Sequence, residues 1–432
     1  MIYTYIFVGM GPANIFAVHE LLEKEKKCNI LMIDKGNPPD KRIEIENLHG
    51  FGGAGTYSDF KCIFNYYDDV LTNYISQDER TEYYNKIKEI IKKYHPNPKK
   101  INITTPKEIQ GKWDNVGLIQ SECWHIGSKY GKQLLENIYN DFKNKGVTFM
   151  FNTEVTDIDF NKKILSINPS FKIENLKYNK LFLAVGKSSV NLIEKLISKN
   201  NSQLKSSSIN IGGRFECNYN NEIKDLSNIQ YDFKIMKNYD KNINIRTFCV
   251  NHMTAYVVEE NHDEFIGFNG HAYGFDYIEK QNNLSNFAIL SEIKNIDVNS
   301  FNYKFIKEFK HPKIVRGPNF HKKQTSLIDP KIKIIGKDDM IDKFNKLHPN
   351  LGKYINDFIY YIDELFNLNG VWDFYIPEIK FNKGTVDVDN NFSLQTIPNV
   401  FWVGDSCLAT NSIIRAAVSG MKSIDNIIKG EK

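Results

Sequence analysis

The strongest constraint on the fold is the pattern of apolar, glycine and polar residues at the N-terminus. The run YIFVG is typical of a buried strand, and the following PANIFAVHELLEKE places apolar residues at helical spacing. The run CNILMID then reads as a second buried strand, which ends at Asp34. Gly9 and Gly11 lie between the first strand and the helix. The pattern therefore predicts a βαβ unit, and with it an α/β fold.

The turn in this unit has the features of a dinucleotide-binding turn. Gly9 allows a tight turn, and Gly11 allows the backbone to approach a pyrophosphate because no Cβ intervenes. The N-terminus of the helix offers N–H groups and partial positive charge to phosphates. Asp34 lies 34 − 9 = 25 residues after Gly9, close to the usual ~20, and can accept a hydrogen bond from a ribose hydroxyl. A βαβ unit without a ligand is the alternative.

Asn14 departs from the usual pattern, because a third glycine normally occupies this position. That glycine allows close packing of helix and strand. We therefore expect a slightly wider approach of the helix to the strand in this chain.

Two later segments resemble further parts of a nucleotide-binding domain. The run NKLFLAVGKSS reads as a strand that ends at Gly186, and residues 399–428 read as a strand that ends at Gly404 and Asp405, followed by a long helix. Small residues recur in that helix at spacings of three and four, which indicates a face packed closely on a sheet. The pattern predicts a split nucleotide-binding domain into which the middle of the chain is inserted.

In this order, the three segments resemble the glutathione-reductase-like FAD superfamily. The resemblance implies that the first turn binds the pyrophosphate of FAD, that Asp405 binds the ribitol chain and phosphates, and that residues 406–410 line the flavin. It also implies that the backbone of Val155, in TEVTDID, contacts adenine. The cofactor-binding residues predicted in this way are Gly9, Gly11, Pro12, Ala13, Asn14, Asp34, Lys35, Gly52, Gly53, Ala54, Gly55, Thr56, Val155, Ala184, Gly186, Gly404, Asp405, Thr410, Ser412 and Ile413.

The segment HGFGGAGTYSDFK, residues 49–61, is the most unusual in the chain. Four glycines within six residues carry a large conformational entropy cost, which a bound ligand would offset. A flexible surface loop is the alternative. The segment resembles the Gly-rich motif GGAGT-aromatic-SD of a family of FAD-dependent dehydrogenases.

Further matches to that family follow along the chain, in WHIGSKYGKQLLENI, INIGGRFEC and IRTFCVN. The resemblance implies an FAD-dependent oxidoreductase that acts on a small-molecule substrate by hydride transfer. The departures are Phe60 in place of a glycine, VNHMTA in place of a Cys-Pro-Gly-Gly turn, and DSCLATNSIIR at the start of the last helix. Because of these departures, a shared substrate does not follow.

The middle of the chain has a different pattern. Residues 205–330 contain alternating β-type runs separated by Gly and Asn, which predicts a mainly antiparallel substrate domain. We predict a discontinuous Rossmann-like FAD-binding domain at 1–190 and 385–432, the β-rich domain at 191–335 and a helical segment at 336–384. A second strand–GxGxxG–helix unit is not recognisable between 190 and 330, so NAD(P)H, if used, is expected to be a transient electron donor.

Few residues are candidates for a catalytic role. Ser58 and Asp59 are predicted to place polar groups near the flavin, and His125 is a candidate acid. A satisfied core histidine is the alternative for His125. Arg214 suits either an acidic substrate or a structural ion pair, and Cys249 either a redox thiol or a buried apolar residue.

Composition excludes several classes of function. The net charge of +4 and the lack of a long basic cluster argue against nucleic acid. No run approaches the ~18 apolar residues of a membrane span, and no signal peptide is recognisable. The six cysteines contain no C-x-x-C pair, so we expect no metal site and a cytoplasmic location. The oligomeric state is left open.

Three functions remain open from the sequence. The first is an FAD-dependent oxidoreductase. The second is a flavin monooxygenase, because GMGPAN is similar to the start of N-hydroxylating monooxygenases. The third is a flavin-binding protein without turnover.

Overall fold

A computed structural model describes residues 2–430 except 26–27, 44–47, 66–68, 110, 114–115, 120, 170–173, 187–189, 200–208, 262–264, 275–277, 295, 297, 321–327, 330, 381–385, 387, 395 and 408–411. The helices in this part of the chain are α1 (Pro12–Lys24), α2 (Gly53–Ser58), α3 (Asp69–Thr72), α4 (Gln77–Tyr94), α5 (Gly127–Asn144), α6 (Val190–Lys199), α7 (Asn221–Ile229), α8 (Val298–Phe309), α9 (Lys337–Leu347), α10 (Leu351–Leu365) and α11 (Ile413–Gly430).

The strands are β1 (Ile2–Val8), β2 (Ile30–Ile33), β3 (Lys61–Phe64), β4 (Asn102–Thr104), β5 (Glu122–His125), β6 (Thr148–Met150), β7 (Thr153–Asp159), β8 (Ile164–Pro169), β9 (Glu174–Leu183), β10 (Ile209–Asn218), β11 (Met236–Asn238), β12 (Ile243–His252), β13 (Ala255–Asn261), β14 (Ile266–Ala272), β15 (Leu284–Ile293), β16 (Lys313–Arg316), β17 (Lys333–Ile335), β18 (Trp372–Lys380), β19 (Ser393–Leu394) and β20 (Ile397–Trp402).

The first of two compact units consists of Met1–Ile101, Ser128–Lys205 and Gly384–Lys432. Its sheet has the order β19-β20-β9-β1-β2-β6, and β8 pairs with β9 and β7 at one side. The pairs β20–β9, β9–β1, β1–β2 and β2–β6 are all parallel. The central strand β1 is almost entirely buried, which explains its continuous apolar run.

The second unit consists of Asn102–Gly127 and Ser206–Lys383. Its main sheet has the order β11-β12-β15-β10-β18-β16-β17, and every pair except β16–β17 is antiparallel. The hairpin β13–β14 and the pair β4–β5 also belong to this unit. Buried side chains of this sheet share one apolar core with side chains of α8, α9 and α10.

The predicted fold class is confirmed, since a parallel α/β sheet carries an inserted, mainly antiparallel unit with helices. The boundaries of the two units differ from the predicted domain boundaries. Residues 102–127 pack in the second unit, because β4 and β5 pair there. Helices α9 and α10 belong to the same unit, because their apolar faces complete the core of its sheet. Among the described residues, no helix is both long and apolar enough to span a lipid bilayer.

Candidate dinucleotide-binding cleft

A cleft in the first unit lies where β1, β9 and β20 end. These three strands are adjacent and parallel, so their carboxyl ends meet at one edge of the sheet, where ligands of α/β proteins usually bind. The empty space of the cleft is ≈ 1150 Å³, including its open mouth. The lining residues are Val8, Gly9, Met10, Gly11, Pro12, Ala13, Ile33, Asp34, Lys35, Leu48, His49, Gly53, Ala54, Gly55, Thr153, Glu154, Val155, Ala184, Val185, Gly186, Leu192, Gly404, Asp405, Ser412, Ile413 and Ala416.

The turn between β1 and α1 forms one border of the cleft. Gly9 has a φ of +87°, and a Cβ on it would lie 2.2 Å from the carbonyl oxygen of Ala184. Gly11 has extended backbone and precedes Pro12, the first residue of α1. A Cβ on Gly11 would meet no atom within 4 Å, so this position opens into the cleft. The first turn of α1 contains no acidic residue, which leaves its N-terminus favourable for an anion.

Asn14 has a definite role in the turn. Its side chain is fully buried, and Nδ2 donates hydrogen bonds to the carbonyl oxygens of Val8 (3.0 Å) and Gly9 (2.7 Å). The side-chain amide of Asn14, a residue of α1, is thus connected to the end of β1 by two hydrogen bonds. Asn14 does not line the cleft.

Asp34 lines the cleft, and its carboxylate accepts hydrogen bonds from backbone N–H groups. Oδ2 accepts from Met10 at 2.7 Å, and Oδ1 accepts from Gly36 and Gly50 at 2.8 Å each. One buried carboxylate therefore connects the β1–α1 turn, the loop after β2 and the Gly-rich segment. Lys35 lines the same part of the cleft.

The Gly-rich segment packs against the β1–α1 turn. The N–H of Gly52 donates to the carbonyl of Met10 at 2.8 Å, and a Cβ on Gly53 would lie 3.1 Å from Cα of Gly11. Arg42 Nη1 donates to the carbonyl oxygens of Phe51 and Gly53 at 2.9 Å each. The segment is thus held by hydrogen bonds along its length, which does not fit a loose surface loop.

Of the predicted residues in this segment, Gly53, Ala54 and Gly55 line the cleft, whereas Gly52 and Thr56 do not. The Oγ1 of Thr56 donates to the carbonyl of Gly52, so its role is within the turn. Phe60, which replaces a family glycine, has a φ of +47°. It therefore adopts the left-handed conformation that a glycine would adopt without steric cost.

The C-terminal segment forms another wall of the cleft. Gly404, Asp405, Ser412 and Ile413 line it, and Ser412 Oγ accepts from the N–H of Arg415 at 3.2 Å, at the start of α11. A Cβ on Gly404 would lie 3.1 Å from Cβ of Ala13 in α1. Segments from both ends of the sequence therefore border one space.

Three further residues that were predicted from the sequence to bind the cofactor also line the cleft. Val155, Ala184 and Gly186 line the cleft, and a Cβ on Gly186 would meet no atom within 4 Å. Ser406 is buried and its Oγ donates to the carbonyl of Val403, so it does not face the cleft. Thr410 lies outside the described residues.

Ser58 and Asp59 are buried and do not line the cleft. Ser58 Oγ donates to the carbonyl of Gly55 at 3.2 Å, and Asp59 forms an ion pair with Lys61 at 3.2 Å. Both Asp59 and Lys61 side chains are 5% exposed. These contacts give the two residues structural roles, and their catalytic role stays a prediction.

His125 belongs to β5 of the second unit, where its ring lies 4.9 Å from the ring of Tyr231. In the same unit Arg214 is fully buried and forms a bidentate ion pair with Glu378, with both N–O distances 2.8 Å. Burial raises the pKa of Glu378, and the charge of Arg214 opposes that shift. For Arg214 the geometry matches the structural alternative. Cys249, with a φ of +53°, lies at a bulge of β12.

Several lining residues were not predicted from the sequence. Met10 lies between the two glycines of the turn, and Leu48, His49 and Leu192 line the cleft through loops and α6. Arg42 holds the Gly-rich segment without lining the cleft. The sequence contains a signal for Met10, through its place in the motif, and for His49, at the start of the Gly-rich segment, whereas Leu48, Leu192 and Arg42 depend on long-range packing.

No protein-family model and no curated protein matches the chain. Solved structures that resemble it include a flavoprotein/dehydrogenase from Cytophaga hutchinsonii, with 10% identity and a TM-score of 0.44 over the whole of this chain and 80% of that one. A geranylgeranyl bacteriochlorophyll reductase-like protein from Thermoplasma acidophilum has 12% identity and a TM-score of 0.46, over 100% and 79% of the two chains. The flavin-dependent halogenase CmlS has 10% identity and a TM-score of 0.47, over 100% and 59%.

Proposed function

We propose that this chain is an FAD-dependent oxidoreductase that acts on a small-molecule substrate. The observation that carries the proposal is the cleft of the first unit, which Gly11 and Asp405 both border although they lie near opposite ends of the sequence. The cleft lies at the carboxyl ends of adjacent parallel strands, where dinucleotides bind in open α/β sheets.

The lining residues fit FAD. Gly11 and Gly186 lack a Cβ where one would enter open space, so the backbone there can approach a pyrophosphate closely. The N-terminus of α1 would bind the phosphates, and the Asp405 carboxylate would accept hydrogen bonds from the ribitol hydroxyls. Val155 would contact adenine. When bound, FAD would supply hydride-transfer chemistry, and the chain would bind and orient it.

The dehydrogenase class is supported by the motif GGAGT-aromatic-SD, of which Gly53 and Gly55 border the same cleft. The turn at Phe60 keeps the conformation that a glycine would adopt, so this departure does not weaken the proposal. The substrate and the electron donor are not assigned by these residues, and NADH and NADPH are the donors to test.

The test is the visible absorption spectrum of the purified full-length protein before and after anaerobic addition of NADH or NADPH. We expect the bands of oxidised flavin, and bleaching with one of the two donors. The variant Asp405→Ala should bind at least about tenfold less tightly, because loss of charge-assisted hydrogen bonds costs roughly 1.5–3 kcal/mol. The control Asp342→Ala, on the exposed face of α9, should bind as the wild type does.

A colourless protein that takes up no FAD on refolding would overturn the proposal. Rapid oxygen consumption with hydroxylation of an added amine would replace it by the monooxygenase alternative. A bound flavin that accepts electrons from neither donor nor from a panel of metabolites would indicate a binding protein without turnover.

A further inference from the structure

We propose that Asp34 is a positioning residue and not the main ligand of an adenosine ribose. Its carboxylate forms a clamp, that is, it accepts hydrogen bonds from three backbone segments around the cleft and so holds them together. The inference rests on the proposed function, since it concerns the adenine half of FAD. Three backbone N–H groups already donate to the carboxylate of Asp34, from Met10, Gly36 and Gly50, at 2.7–2.8 Å.

These three donors belong to segments that are separate in the sequence. Met10 lies in the turn that precedes α1, Gly36 in the loop after β2, and Gly50 at the start of the Gly-rich segment. Asp34 is 7% exposed, so its bonds are shielded from water. Hydrogen bonds to an ionised acceptor are stronger than neutral ones, and more so when buried. One side chain therefore sets the relative positions of three cleft-forming segments.

The space around the carboxylate is fitted to this arrangement. A Cβ on Gly36 would lie 2.5 Å from the backbone nitrogen of Gly50, and Gly50 has a φ of +100°. Two further bonds run beside the clamp, from Phe51 N–H to the carbonyl of Asn37 at 3.2 Å and from Gly52 N–H to the carbonyl of Met10 at 2.8 Å. Only glycine allows the loop and the segment to approach so closely.

The acceptor capacity of the carboxylate limits what remains for a ligand. Two carboxylate oxygens offer about four acceptor positions. Oδ1 already accepts two hydrogen bonds and Oδ2 one, which leaves one position on Oδ2. A ribose can therefore donate at most one hydrogen bond to Asp34. Asp34 should therefore contribute at most one hydrogen bond to the recognition of the 2′- and 3′-hydroxyls of an adenine nucleotide.

The clamp can be tested on the protein without a ligand. Hydrogen–deuterium exchange with mass spectrometry should show at least about tenfold faster exchange in peptides that contain Met10, Gly36 and Gly50 when Asp34→Asn is introduced, because their acceptor loses its charge. Asp40→Asn, which changes an exposed carboxylate nearby, is the matched control and should leave exchange unchanged. Unchanged exchange in Asp34→Asn would overturn the clamp.

The role toward the ribose is tested with ADP and 2′,3′-dideoxy-ADP as probes. We expect the wild type to prefer ADP by no more than the roughly tenfold that one hydrogen bond to a carboxylate contributes, and Asp34→Asn to weaken the binding of both probes by at least about tenfold. Gly36→Ala should weaken both in the same way, since it separates Gly50 from the intact carboxylate.

A wild-type preference for ADP of more than about a hundredfold, or a loss in Asp34→Asn confined to ADP, would overturn the inference. The first of these outcomes needs no variant, so a misfolded variant does not leave the inference untested. A wild type that binds neither FAD nor ADP would instead contradict the proposed function, while the exchange experiment still tests the clamp.

Discussion

Two glycines of one turn are present for different physical reasons. Gly9 has a left-handed φ of +87°, and its α-carbon lies so close to β9 that a Cβ would come within 2.2 Å of the Ala184 carbonyl. Gly11 has a φ of −78°, which any residue adopts, and open space beside it. The fold therefore requires Gly9, whereas no described contact requires a glycine at residue 11, and the proposed cofactor would account for it.

This difference predicts opposite phenotypes for two alanine substitutions. Gly9→Ala should lower the free energy of unfolding by roughly 2–5 kcal/mol, from the left-handed backbone and the overpacking together. Gly11→Ala should change it by less than about 0.5 kcal/mol, but weaken FAD binding at least about tenfold, which is about 1.4 kcal/mol. Urea unfolding of the ligand-free protein and FAD titration measure the two effects. Equal FAD affinity in Gly11→Ala and wild type would contradict this assignment.

Two other residues stand where the family pattern has a glycine. They are Asn14 and Phe60, and each is accommodated in its own turn in a different way. Asn14 donates hydrogen bonds to the carbonyl oxygens of Val8 and Gly9, and Phe60 adopts a left-handed φ of +47°. The sequence marks these positions as departures, but it does not reveal how each departure is accommodated.

At the scale of elements, the approach of α1 and α11 shapes the cleft. The spacing of small residues in α11 predicts a face packed on a sheet, but Gly420 faces α1. A Cβ on Gly420 would lie 2.0 Å from the carbonyl oxygen of Ala13 and 3.2 Å from Cβ of Ala17. Both helices begin at the cleft, so their separation sets the distance between its walls.

This contact reverses the usual effect of a helix substitution. Glycine to alanine inside a helix ordinarily stabilises it by about 1 kcal/mol. Gly420→Ala should instead lower the free energy of unfolding by roughly 1–3 kcal/mol, because the new methyl group overlaps α1. Gly430→Ala, at the end of the same helix and with no atom within 4 Å, is the control. Thermal unfolding of both variants checks the sign, and a stabilised Gly420→Ala would refute the close packing.

At the scale of the whole molecule, stability should depend on pH through a histidine of α1. His19 is 7% exposed, and its two ring nitrogens have no hydrogen-bond partner among the described residues. Burial, with the positive charge of Lys93 as a smaller cause, lowers the pKa of His19 to about 4. In the unfolded chain its pKa is 6.5.

The sign of the effect follows from these two values. Above pH 6.5 the ring is neutral in both states, so it adds no pH dependence. As the pH falls from 6.5 toward 4, only the unfolded chain takes up the proton, and the free energy of unfolding decreases. Between pH 7.5 and 5 this loss should be roughly 2 kcal/mol. His19→Leu should remove that part of the acid sensitivity in urea titrations, whereas His311→Leu, at an exposed site, should not. An unchanged pH profile in His19→Leu would contradict the assignment.

The order of elements along the chain and their order in space differ greatly in this molecule. The three strands that end at the cleft come from the start, the middle and the end of the sequence, as β1, β9 and β20. Their three turns could be recognised separately, because each is a local pattern of apolar residues followed by glycine. Their adjacency in one parallel sheet is set by long-range pairing, such as Ile6 with Leu181 and Phe182 with Phe401.

The sequence by itself determined the types of the main elements and the positions of the turns. Alternating or continuous apolar runs and glycines act within a few residues, as they do at Gly9, Gly11 and Gly404. Only the tertiary structure decided that Asp34 binds three backbone segments, that α9 and α10 complete the core of the second unit, and that Gly420 touches α1. The physical reason is that these hydrogen bonds and buried contacts join groups that are far apart in the sequence. Such groups come within contact distance only when the chain folds, so no local sequence pattern specifies them.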